Sequence, residues 1–234
     1  MDETEAATET TKATGGDLAR ITPAMEDYLK AAYRLRDDRG QVTTQRLADE
    51  LGISGPSVTN MVKRLHELGL LRHAPYHGAE LTAAGERVAL EVMRHHRLLE
   101  RYLVEALGYG WDTVHAEAER LEHHVSDELE ARMDSALGHP TVDPHGDPIP
   151  SRTGHLSAEP DLPLLDLPPG QPATVSRVPD RDPELLRYLG GLGLVPGAEV
   201  VVLEVLPFEG PLRLRIGAAE HLVGRPLGAA IRAR

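Results

Sequence analysis

A chain of 234 residues has room for one large domain or two to three small ones. It carries 25 Lys and Arg against 37 Asp and Glu, a formal net charge of −12, and is 41% hydrophobic but only 3% aromatic, so its core must be Leu, Val and Ala. The absence of cysteine excludes disulfides and thiolate metal sites. With no secretory leader pattern and no apolar run near the ~20 residues of a membrane helix, a cytoplasmic protein without a membrane partner is expected.

Residues 1–20 are acidic, polar and of low complexity, the composition of a disordered tail. Order is expected from Ile21, with Thr22 as N-cap, Pro23 at the first helical position and an apolar face of Tyr28, Leu29, Ala32, Tyr33 and Leu35. Residues 43–53 form a short amphipathic helix ending at Gly52. Ser54-Gly55-Pro56-Ser57 reads as turn and cap, and residues 57–68 as a second helix with Val58, Met61, Val62, Leu65 and Leu68 inward. Two short strands, 70–72 and 79–82, flank a turn at Tyr76-His77-Gly78. Helix, turn, helix and two-stranded wing give a winged helix-turn-helix DNA-binding domain over 21–83.

The outer face of the second helix bears Ser54, Pro56, Ser57, Thr59, Asn60, Lys63 and Arg64, and residues 54–66 contain no acid. Asn can pair bidentately with adenine, Pro can touch a thymine methyl, and Lys and Arg suit phosphates. Residues 39–75 hold five basic against three acidic side chains, so the acidity of the chain lies largely elsewhere. A plain solvated helix face is the competing reading of this pattern.

Helical periodicity resumes from about Ala83 to Leu107, breaks at Leu107-Gly108-Tyr109-Gly110, and continues from Trp111 to Leu137, giving a helical domain over 84–140. Residues 91–134 contain eleven acids, five arginines and five of the twelve histidines. At helical spacing His115, Glu119, Glu122 and His123 share one stripe beside the apolar Val114, Ala118, Leu121 and Val125; His96 and Glu100 share another. Carboxylates and imidazoles bordering a core are costly unless a cation neutralises them. Oxygen and nitrogen donors suit Mn²⁺, Fe²⁺ or Zn²⁺; surface i,i+4 pairing is the alternative. The zinc-protease His-Glu-x-x-His and the di-iron Glu-x-x-His are both absent, as are a phosphate loop and a nucleophile elbow, so neither an enzyme nor a small organic substrate is expected.

Residues 141–172, rich in Pro, Gly and Asp, read as an irregular linker. Residues 173–234 alternate short strands (173–178, 199–206, 212–216, 221–223) with turns and one small helix, 183–192, the pattern of a small β-barrel. The fold class expected is mainly α with a small β domain.

The whole resembles the diphtheria toxin repressor family of metal-dependent transcriptional regulators. The resemblance is carried by Glu26-Asp27-Tyr28-Leu29, Ser54-Gly55-Pro56-Ser57-Val58, Val92-Met93-Arg94-His95-His96-Arg97-Leu98, Glu122-His123-His124-Val125-Ser126-Asp127-Glu128 and Asp143-Pro144-His145-Gly146-Asp147-Pro148-Ile149-Pro150. It implies a winged helix, a helical dimerisation domain and a C-terminal SH3-like (FeoA-like) barrel. It also implies a homodimer on a palindromic DNA operator, repressing metal uptake genes when loaded at two metal sites per chain. The primary site would be Asp27, Glu119, Glu122 and His123. The ancillary site would be His96, Glu100 and His115, completed by a barrel acid, Asp180 or Asp182, with Asp180 the first choice. Iron-responsive members carry Met at the place of Asp27 and Cys at the place of Glu119, so carboxylates at both resemble the manganese-responsive branch. Two-domain manganese members have Glu at the place of Lys30, where it joins a close metal pair. A charged Lys30 cannot ligate, which implies two separated sites as in three-domain members. An iron- or zinc-responsive member, or a metal-independent winged-helix regulator, remain the alternatives.

Overall fold

The computed structural model of the chain describes residues 21–74, 78–157 and 159–234; the tail expected over 1–20 and most of the wing turn at Tyr76-His77-Gly78 lie outside them. The chain forms two compact units, one reaching to Leu90 and one from Glu91 to Arg234.

The first unit opens with α1 (Pro23–Leu35), whose N-cap Thr22 accepts a hydrogen bond from the Met25 amide. Strand β1 (Gln41–Val42) precedes α2 (Thr44–Leu51), which Thr43 caps and Gly52 ends at φ +65°. Helix α3 (Gly55–Glu67) begins two residues before the expected Ser57, because Ser54 caps it and Pro56 fits its first turn. Strands β2 (Leu71–Ala74) and β3 (Gly78–Leu81) pair antiparallel, and β1 joins β3 to give the order β1-β3-β2. The two-stranded wing is thus three-stranded. Two residues are too few to show the alternation by which a strand is read from sequence. Met25, Leu29, Leu47, Val58, Val62, Leu65 and Leu71 fill the core under the helices.

Helix α4 (Ala83–Leu107) runs from the first unit into the second. In the second unit α5 (Val114–Leu121) is followed by a 3₁₀ turn, Glu122–His124, and then by α6 (Asp127–Ala136). The single helix expected over 111–137 is therefore broken. Ser126 is extended (φ −84°, ψ 155°) and its hydroxyl accepts from the Leu129 amide, while Asp127, Glu128 and Glu130 crowd the first turn of α6. A capping serine followed by acids starts a new helix, and the old one must end before it. Leu98, Leu99, Leu103, Val114, Ala118 and Met133 pack between these helices.

The barrel comprises β4 (Leu162–Pro163), β5 (Pro172–Arg177), α7 (Pro183–Leu192), β6 (Glu199–Val205), β7 (Leu212–Ile216), β8 (Ala219–Val223), α8 (Arg225–Ala230) and β9 (Arg232–Ala233), with sheet order β4-β9-β5-β6-β7-β8. Its interior is Leu and Val: Leu164, Val175, Leu186, Leu189, Val200, Val202, Leu212 and Leu214 are buried together. The segment expected as linker is partly regular. Besides β4 it contains a bridge between Val142 and Pro148 that closes the 143–147 loop.

Gly146 is what lets that loop lie against the barrel. Its φ is +92°, and a Cβ built there would stand 1.8 Å from the Ser176 carbonyl oxygen of β5. Next to it the Val178 amide donates to the His145 carbonyl at 3.0 Å. Gly146→Ala is expected to combine backbone strain with a backbone clash that no rotamer relieves, destabilising the second unit by on the order of 3 kcal/mol. Thermal unfolding checks this; an unchanged melting temperature would mean that the loop does not sit on β5 in solution.

Candidate metal centre and DNA-facing helix

The donors gather around His96, which α4 presents to the second unit and which is buried. Its Nδ1 donates to Glu122 Oε2 at 2.6 Å, and its Nε2 lies 3.1 Å from Glu100 Oε1 and from His115 Nδ1. The two imidazoles meet edge to face with centroids 4.7 Å apart. Burial alone would push His96 towards neutrality. Hydrogen bonds to two carboxylates, Glu100 and Glu122, outweigh it and raise the pKa to about 9. Burial would likewise raise Glu100, but the hydrogen bonds with His115 and His96 and the nearby charge of His145 hold it well below the usual carboxylate range.

Glu122 is fully buried, and its Oε1 stands 3.4 Å from His123 Nε2. Both sit in the 3₁₀ turn rather than on the α5 stripe that periodicity places them on, where only His115 and Glu119 remain. That turn is held by His95, which shares a hydrogen bond of 3.2 Å with the Glu122 carbonyl. Glu119 is exposed, 3.8 Å from His115 Nε2, and the three donors His96, His115 and Glu119 lie within 4.8 Å of one another. Asp27 is half-buried on α1, in the first unit; Lys30 beside it on that helix is buried.

A second group forms from Glu100, His145 and Asp180, again within 4.8 Å of one another. His145 and Asp143 are absent from the sets read from sequence. They lie in Asp143-Pro144-His145-Gly146-Asp147, two acids and a histidine within five residues, which is the signal that could have found them. Asp143 Oδ1 accepts from the His145 and Asp147 amides at 2.8 and 3.0 Å, so it closes the loop with one oxygen, while the other makes no hydrogen bond and lies 3.7 Å from Arg97 Nε. His145 Nδ1 lies 3.8 Å from Glu100 Oε2, a charge contact beyond hydrogen-bond reach. Of the two barrel acids, Asp182 caps α7, accepting from the Glu184 and Leu185 amides, whereas Asp180 Oδ2 stands 3.7 Å from His115 Nδ1.

Three buried atoms here have no hydrogen-bond partner: Glu100 Oε2, Asp143 Oδ2 and His145 Nδ1. Orphaned buried polar atoms are costly and rare. Burial, with the charges of Glu100 and Asp147, pushes Asp143 up to about 8, against the pull of Arg97 and His145. His145, which burial would lower, is raised to about 9 by Glu100 and Asp143. A divalent cation fits such a donor set, satisfying the orphaned atoms and offsetting the crowded carboxylates.

In the first unit all the expected DNA-contacting side chains of α3 and its cap are exposed except Thr59, which is half-buried. Ser54 and Ser57 hydrogen-bond each other at 2.9 Å within the cap, and the Thr59 hydroxyl donates to the Gly55 carbonyl. These three therefore shape the helix start. Asn60, Lys63 and Arg64 are also exposed, and their amide and cationic groups are suited to reading bases and holding phosphates.

Three family models match the chain: "Iron dependent repressor, N-terminal DNA binding domain" over residues 20–79, "Iron dependent repressor, metal binding and dimerisation domain" over 82–151, and "FeoA domain" over 162–234. The iron-dependent repressor IdeR of Mycobacterium leprae is 40% identical over 196 residues, covering 78% of this chain and 84% of the relative. A solved structure described as a manganese-dependent transcriptional repressor complex with manganese superposes with a TM-score of 0.82 at 39% identity, covering 89% of this chain and 98% of that one. The manganese regulator SloR superposes with a TM-score of 0.74 at 32% identity, over 92% and 99% of the two chains.

Proposed function

We propose that this chain, which belongs to the diphtheria toxin repressor family of metal-dependent DNA-binding transcriptional repressors, is the manganese-activated repressor of metal uptake genes in its cell. The observation that carries the metal assignment is the donor chemistry. Every candidate ligand is a carboxylate oxygen or an imidazole nitrogen, the chain has no cysteine, and the second group sets two carboxylates, Glu100 and Asp180, beside one histidine, His145, on which the charge of Asp143 also acts. Hard oxygen donors suit Mn²⁺, whose weak place in the affinity order must be offset by geometry and supply. The mycobacterial relatives bear the name iron-dependent repressor, whereas the corynebacterial ones are named diphtheria toxin repressor; the former supports iron as the second reading.

Two ligand sets are assigned. The primary set is Asp27, Glu119, Glu122 and His123, as the family resemblance implies. The second is Glu100, Asp143, His145 and Asp180. His115 stands between the two, 3.0 Å from Glu100 and 3.8 Å from Glu119, and His96 fixes Glu122. When bound, the metal supplies positive charge that offsets the mutual repulsion of these carboxylates. Glu122 and His123 share one 3₁₀ turn that His95 and His96 hold by hydrogen bonds to Glu122, which sets the two donors side by side. DNA and metal that favour the same conformer raise each other's affinity reciprocally.

The protein acts as a cytoplasmic homodimer on a palindromic operator, the symmetry of the site mirroring that of the protein; among the described residues no helix is long and apolar enough to cross a membrane. No enzymatic role is assigned.

Operator binding at buffered free Mn²⁺, Fe²⁺ and Zn²⁺ tests this reading. Activation by Mn²⁺ at the lowest occupancy-matched concentration is expected. Equal DNA affinity with and without metal would overturn it, and activation by Fe²⁺ alone would establish the second reading. Asn60→Ala is expected to weaken operator binding by about 1–3 kcal/mol while sparing random DNA and metal uptake. An equal loss on random duplexes, read by fluorescence anisotropy, would remove Asn60 from base reading.

A further inference from the structure

His145 is held from one side by a residue no ligand set contains. Trp111, the single tryptophan of the chain, lies in the turn between α4 and α5. Its backbone carbonyl accepts a hydrogen bond from His145 Nε2 at 2.7 Å. Its indole lies 28° from parallel to the imidazole, with centroids 5.9 Å apart. A carbonyl can only accept, so Nε2 carries a proton and Nδ1 is the nitrogen left to donate a lone pair. That is the buried, unpartnered atom facing Glu100.

The indole in turn rests on the barrel. It packs against the barrel core, and a Cβ on Gly190 of α7 would meet its Cζ2 at 3.3 Å, so the bare glycine backbone is the surface the ring lies on. The neighbouring Asp112 is tied to the same helix by Arg187 at 3.1 Å. The turn carrying Trp111 is thus fixed to α7, and His145 is fixed to that turn.

We propose that Trp111 is the positioning residue of the second metal set: its backbone carbonyl fixes which nitrogen of His145 is free to ligate, and its indole, lying between His145 and Gly190, couples the aim of that nitrogen to the packing of α7 on the α4–α5 turn. The inference rests on the reading of Glu100, Asp143, His145 and Asp180 as a metal set. Partners that orient a metal-ligating histidine through its other nitrogen typically matter 10- to 100-fold in affinity. Metal at this set and the seating of α7 then favour each other, as linkage requires.

The test is a Mn²⁺ titration of the full chain by calorimetry, with tryptophan emission and the melting temperature followed with and without metal. Wild type is expected to bind in two classes, its emission changing with the weaker or stronger class that Glu100→Gln removes. Trp111→Leu is expected to weaken that class alone by about 10-fold or more, and Trp111→Phe, which keeps an aromatic face on His145, to restore most of it. Gly190→Ala adds a methyl against the ring in a helix that tolerates alanine, and is expected to shift the same class in the same direction. The proposal is overturned if Trp111→Leu and Gly190→Ala lower the metal-free melting temperature yet leave both affinities unchanged. It is overturned equally if emission follows only the class that Glu100→Gln spares. Should Glu100→Gln itself leave both classes intact, the metal-set reading falls, and the proposal with it.

Discussion

Glu122→Gln is expected to reduce Mn²⁺-activated operator binding by about 100-fold, near the upper end of the usual 5- to 150-fold range of allosteric coupling, with the fold retained. The carboxylate is fully buried, bonded through Oε2 to His96 and facing His123 through Oε1. An amide of the same shape can still accept the His96 N–H, so the turn keeps its geometry. What disappears is the negative charge that a divalent cation needs and that, after Glu100, helps hold His96 protonated. Removing the charge without the volume isolates electrostatics from packing, which Glu122→Ala would confound by opening a cavity. The measurement is anisotropy of a duplex selected from random sequence by the Mn²⁺-loaded wild type, alongside circular dichroism. Undiminished activation in the variant would exclude Glu122 from the metal switch. Loss of helical signal would show that its role is structural.

The α-helical elements were legible because their ends are written in single residues. Thr22-Pro23, Thr43 with Gly52, and Ser54 with Pro56 cap or stop helices by local hydrogen bonding and fixed φ, and the structure uses each of them. The gathering of His96, Glu100, His115 and Asp180 was legible too, since His115 contacts each of the other three. The division of the donors into sets was less so. Periodicity continued one helix through Glu122–Ser126, although Ser126 before Asp127 and Glu128 already signals a new N-terminus. The two donors beyond Leu121 therefore sit on a 3₁₀ turn that faces His96, a placement no 3.6-residue stripe gives.

Asp143 and His145 were missed for a different reason. They belong to a segment whose Pro and Gly content reads as linker, and their burial depends on contacts far along the chain: the Val178 amide on the His145 carbonyl, the Trp111 carbonyl on Nε2, and β5 beneath Gly146. Local propensity carries no signal of such contacts. The same holds for β4 and β9, two residues each, which exist because β9 pairs with β5 and the edge strand β4 pairs with β9, rather than through strand propensity of their own.

Mn²⁺ affinity at the second set is expected to rise by about 100-fold per pH unit between pH 6 and 7.5 and to level off above pH 9. His145, raised to about 9 by Glu100 and Asp143, and Asp143, raised to about 8 chiefly by burial and the charge of Glu100, both hold protons at neutral pH in the metal-free protein. Each must lose its proton to ligate, and each proton released per metal contributes a factor of ten per pH unit. Metal-free stability should move the opposite way. The folded pKa values of His96 and His145, about 9, exceed the ordinary value of 6.5. Their stabilising contribution is therefore complete below pH 6.5 and lost as pH rises through 9. Asp143 acts in the same sense, its folded form keeping until about pH 8 a proton that an unfolded aspartate surrenders near 3.8. The metal-free melting temperature is thus expected to fall from pH 6.5 to 9 while the increment given by saturating Mn²⁺ grows. Calorimetry in two buffers of different ionisation enthalpy counts the released protons directly. A Mn²⁺ affinity flat across this window, with no proton released, would show that metal displaces no proton from His145 or Asp143, whereas release abolished by Glu100→Gln would tie the protons to this set.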